Sequence, residues 1–113
     1  MMIKDAETVL DEIERSFAVR NEPDVIGFLG EHAFLVPLLR ESYDRINAYF
    51  PAAQPTLEIV ADPDGADDSQ LVIFVPTKLE PQEAMAHLER FDENWWLDAL
   101  DQARGKLCIT LEF

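Results

Sequence analysis

Four aspartates within seven residues, Asp62, Asp64, Asp67 and Asp68, form the densest set of hard-metal ligands in the chain. Carboxylate oxygens suit Ca²⁺ or Mg²⁺, and a bound divalent ion could support metal-assisted hydrolysis or nuclease chemistry. The spacing differs from that of a helix-loop-helix calcium site. Gly65 directly follows Asp64, where a third oxygen ligand should intervene, and the closing glutamate is missing. With Pro63 and Gly65 among the aspartates, the segment is read as a solvated hairpin loop.

Other common chemistries lack their spacing. His32 and His87 are the two histidines and are separated by two expected elements, and neither stands beside a defined partner for a metal or nucleophile system. Cys108 is the single cysteine, so an intrachain disulfide is excluded. It alternates with core-type Leu107 and Ile109, which makes it a half-buried structural thiol. The four glycines are scattered and form no phosphate-binding loop. No cofactor and no catalytic residue are assigned.

The most distinctive segment is Phe91-Asp92-Glu93-Asn94-Trp95-Trp96-Leu97-Asp98. Two adjacent tryptophans on a helix cannot point the same way, so two arrangements follow. Both rings cap opposite ends of the core, or Trp96 lies at the surface within a ring of acids. The second arrangement nominates Asp92, Glu93, Trp96, Asp98 and Asp101 as a partner-binding set, with an indole as the apolar anchor and carboxylates steering a basic partner.

Charge supports that choice of partner. The 113 residues include 23 acids and 9 Lys or Arg, a formal net charge of −14. Such a surface repels nucleic-acid phosphates and anionic membranes and favours a basic protein, while self-association stays open. The imbalance is uneven: residues 1–50 carry ten acids and five bases, residues 51–113 thirteen and four. At 48% apolar residues the chain can bury a core, and its length suits one domain spanning residues 1–113. The start of the chain is charged within a few residues and no apolar run approaches about 20 residues, so a cytoplasmic location is expected.

These groups need elements to hold them. Ala6, Val9, Leu10, Ile13 and Phe17 recur at helical spacing and predict a helix from about Lys4 to Val19. One to two helical turns follow Pro23, weakened by Gly27 and Gly30. A longer helix runs from about Phe34 to Phe50, with Pro37 in its first turn. The period then changes to two: Leu57 to Ala61 and the apolar run Leu71 to Val75 predict a hairpin, and Lys106 to Phe113 a last strand. Between them Pro81 opens a helix whose inner face is Ala84, Met85, Leu88 and Phe91, with a break near Asn94.

The fold class is therefore α+β, with a three-stranded sheet: a hairpin plus a helical crossover to a carboxyl-terminal strand, packed with an amino-terminal helical pair and one later helix. The second strand is placed centrally, antiparallel to the first and parallel to the third. The sheet face with Val60, Val72, Phe74 and Cys108 is expected to lie under the amino-terminal helices, the alternative being an exposed dimer face.

The Phe91 to Asp98 segment followed by Gly105-Lys106-Leu107-Cys108-Ile109-Thr110-Leu111-Glu112-Phe113 resembles small uncharacterised bacterial proteins with an F-D-E-x-W-W-L segment and a closing apolar strand. The resemblance covers mainly the last third and implies a compact bacterial domain, without carrying over any activity or site. The expected function is a non-enzymatic acidic protein-binding module of antitoxin, immunity or regulatory type. The alternatives are a metal-assisted hydrolase or nuclease using clustered carboxylates, and a nucleic-acid mimic.

Overall fold

The computed structural model describes residues 11–51, 53–61 and 69–112. It is an α+β fold with a four-stranded mixed sheet. Residues 11–16 are helical (α1) and bury Ile13. The chain then turns at Phe17 into a two-residue strand, Ala18–Val19 (β1). The expected helix to Val19 thus ends early, and the expected three-stranded sheet gains a fourth strand. The cause is local: the Ala18 and Arg20 amides donate to the carbonyls of Pro55 and Leu57, both at 2.9 Å. A two-residue strand is too short to show a period of two, so helical periodicity across it misled.

Glu22–Glu31 (α2) runs ten residues, longer than its two glycines suggested. Pro23 lies in its first turn, where a missing amide hydrogen costs little. Asn21, at φ 54°, reverses the chain before it. Val25 and Leu29 are buried, which offsets the weak propensity of Gly27 and Gly30. Leu35–Tyr49 (α3) buries Leu35, Leu38, Leu39 and Ile46 on one stripe. Ser42 is buried on the same helix, its hydroxyl donating to the Leu38 carbonyl at 2.7 Å.

Thr56–Ala61 (β2) pairs antiparallel with Ser69–Pro76 (β3), Leu57 opposite Ile73. Leu107–Glu112 (β4) pairs parallel with β3, Ile73 opposite Ile109. The sheet order is β1-β2-β3-β4, as the expected pairings of the hairpin and last strand require. Pro81–Phe91 (α4) and Leu97–Ala103 (α5), separated by a π-helical turn over Asp92–Trp96, connect β3 to β4.

The core cluster contains Leu57, Leu71, Ile73, Val75, Leu107 and Ile109 from the sheet, all odd-numbered, and no even-numbered strand residue. Every described helix contributes to that cluster, α1 through Ile13 and α5 through Ala99 and Ala103. The architecture is therefore two layers, helices over one sheet face. The amino-terminal helices pack on the odd face and not, as expected, on the even face of Val72, Phe74 and Cys108. Arg20 reaches over that even face instead. Its guanidinium bonds Glu58 of β2 at 2.9 Å and Glu112 of β4 at 3.0 Å, and lies 5.4 Å from the Phe74 ring centroid.

Candidate functional site

The π turn explains how two adjacent tryptophans enter one core. In an α-helix, at 3.6 residues per turn, Trp96 would stand about 140° around the axis from Phe91. A π turn closes i→i+5 bonds and brings residues five apart into one row. The Leu97 amide accordingly donates to the Asp92 carbonyl. Phe91, Trp95 and Trp96 then pack together, with ring centroids 5.6 Å apart for each successive pair. Both indoles are 7% exposed. Trp96 is thus a core residue, which corrects the arrangement in which its ring lay at the surface. The Trp95 indole N–H donates to Glu41 of α3 at 3.0 Å, and Asn94 donates to the Tyr49 hydroxyl at 2.8 Å, tying the turn to α3.

Rotating the tryptophans inward leaves the next apolar residues outside. Leu97 is 59% exposed and Leu100 is 44% exposed. They stand three apart on α5 and are neighbours on its outer surface. Glu93, Asp98 and Asp101 are exposed around them. Of the acids nominated from sequence, these three therefore border one leucine pair. Asp92 is half-buried at the first position of the π turn, and burial raises its carboxyl above the usual aspartate range. Neither leucine stood among the residues nominated from the sequence. Met85, assigned to the inner face of α4, is likewise exposed.

The remaining candidates do not converge. Cys108 is half-buried on the even sheet face, and burial, followed by the negative charge of Asp92, pushes its thiol up, away from the thiolate a nucleophile needs. The Nδ1 of His32 donates to the Phe28 carbonyl and that of His87 to the Glu83 carbonyl, both at 2.9 Å. Among the described residues no group of three or more His, Cys, Asp or Glu could hold a metal ion. The Asp62, Asp64, Asp67 and Asp68 loop lies outside the described residues. A shallow cleft of about 310 Å³ between α1 and α3 is lined by Ile13, Phe17, Tyr43 and the Glu12–Arg40 ion pair, and its charged groups are thus partly spent on each other. Among the described residues no helix is long and apolar enough to cross a membrane.

The fold and this surface define a two-layer α+β protein with an acid-bordered apolar patch on its crossover helix. No family model matches the chain, and no curated protein or solved structure shows significant similarity to it.

Proposed function

We propose that the chain is a non-enzymatic, acidic protein-binding module that docks onto a basic partner, in the manner of an antitoxin, an immunity protein or a regulatory subunit. The observation that carries this reading is the Leu97 and Leu100 pair, the exposed apolar patch of α5, bordered by Glu93, Asp98 and Asp101. Exposed leucines side by side cost solubility and gain when a partner covers them. The carboxylates around them select a cation-rich partner and speed the encounter, in keeping with the net charge of −14.

Roles divide between the two layers of this segment. Trp95 and Trp96 fix the helix from beneath, and the leucines and acids outside make the contact. Asp98→Lys with Asp101→Lys is expected to reduce capture of the basic partner at low salt by about tenfold or more, and added salt should weaken capture by the native chain in parallel. Unchanged capture by that charge-reversed variant would remove the reading.

A further inference from the structure

The two edges of the sheet are built differently. At one edge β1 is two residues long, and Arg20 beyond it is engaged by Glu58 and Glu112. At the other edge β4 is six residues long, with neither proline nor glycine and with its one charged residue, Glu112, at its end. The Lys106 and Glu112 carbonyls accept from the Leu71 and Thr77 amides, so the even-numbered residues of β4 turn their backbone groups toward β3. In a parallel ladder Leu107, Ile109 and Leu111 then turn theirs outward. Among the described residues those outward groups have no partner.

Proteins usually blunt such an edge with proline, a bulge, charge or brevity. The β1 edge is blunted by brevity, and β4 by none of these along its first five residues. A free strand edge is a template for an added strand, with backbone hydrogen bonds supplying affinity. Charge decides what kind of strand. A second copy brings another −14 to the same place. A cationic segment is attracted by that charge.

We propose that the β4 edge is a docking site for an extended basic segment of a partner protein, which joins the sheet as a fifth strand. The basic character of the partner rests on the function proposed above. The geometry of the edge is independent of it.

The probe is a nine-residue peptide alternating Lys with Val or Thr, titrated into the full chain at low salt, with amide hydrogen exchange read residue by residue. Binding is expected to slow exchange at Leu107, Ile109 and Leu111 and leave β1 unchanged. The same peptide N-methylated at every amide keeps its charge and loses its donors, and is expected to bind at least about tenfold more weakly. Equal affinity of the methylated and unmodified peptides overturns the strand-addition proposal while leaving acidic docking standing. Protection of the edge without peptide, together with a doubled mass in solution, assigns the edge to a second copy and also overturns it. Edge protection by the peptide combined with full partner capture by the Asp98→Lys, Asp101→Lys variant instead overturns the α5 reading and retains the edge.

Discussion

Trp95 and Trp96 are followed directly by Leu97, yet the first two lie in the core and the third is mostly in solvent. Side-chain hydrophobicity does not separate them. The difference lies in one inserted residue. Were Asn94 absent, the tryptophans would stand three and four residues after Phe91, and Ala99 and Ala103 seven and eleven after it, all on one helical stripe. The π turn absorbs the extra residue, keeps that stripe intact and leaves Leu97 facing away from it, about 140° around the axis, with Leu100 at its flank, about 80° around. The buried pair belongs to the core and the exposed pair does not, and the proposed division between stability and recognition can be tested from both sides.

The largest effect is expected at the buried indole. Trp96→Ala removes a large side chain packed on Trp95 and should destabilise the fold by about 3–5 kcal/mol in chemical denaturation. A loss below about 1 kcal/mol would place the ring outside the core. Deleting Asn94 should cost far less, about 1 kcal/mol for the lost bond to Tyr49, because the remaining helix regains a continuous stripe. An unfolded deletion variant would show that the π turn itself is required.

Arg20→Ala removes the links from the β1 end to Glu58 and Glu112 at an exposed position and is expected to cost much less stability in chemical denaturation than Trp96→Ala. Asp92 gives a pH signature whose sign follows from its raised carboxyl. The folded state holds that proton more tightly than the unfolded state, so stability due to Asp92 is greatest at acid pH. It declines as pH rises from the ordinary aspartate value to the elevated one. Asp92→Asn should flatten this slope in unfolding curves at pH values just above the ordinary aspartate range. Cys108, with its thiol raised by burial and by Asp92, should alkylate at neutral pH more slowly than a free cysteine.

Much of this fold was legible in the residues. The long helix after Phe34, the hairpin and the parallel return of the last strand follow from the change of period and from proline placement, and the break near Asn94 from Leu97 lying off the apolar face of an unbroken helix. Two features were not legible for physical reasons. Ala18 and Val19 form a strand only because Pro55 and Leu57 offer carbonyls to it, a tertiary cause that no local pattern records. The side to which Leu97 turns depends on the break being a π turn, whose i→i+5 bond from the Leu97 amide to the Asp92 carbonyl is not marked by any residue type in the segment. Of the residues nominated from the sequence, Glu93, Asp98 and Asp101 are exposed and Trp96 is buried, and the exposed apolar residues of the segment are Leu97 and Leu100.

The separation of buried and exposed pairs is tested most directly by one paired measurement on Leu97→Ser with Leu100→Ser: affinity for the captured basic partner at low salt, beside chemical denaturation of the same preparation. The account predicts stability within about 0.5 kcal/mol of the native chain and affinity reduced by about tenfold or more. Native affinity in the double variant, or a loss of stability comparable to that of Trp96→Ala, would contradict it.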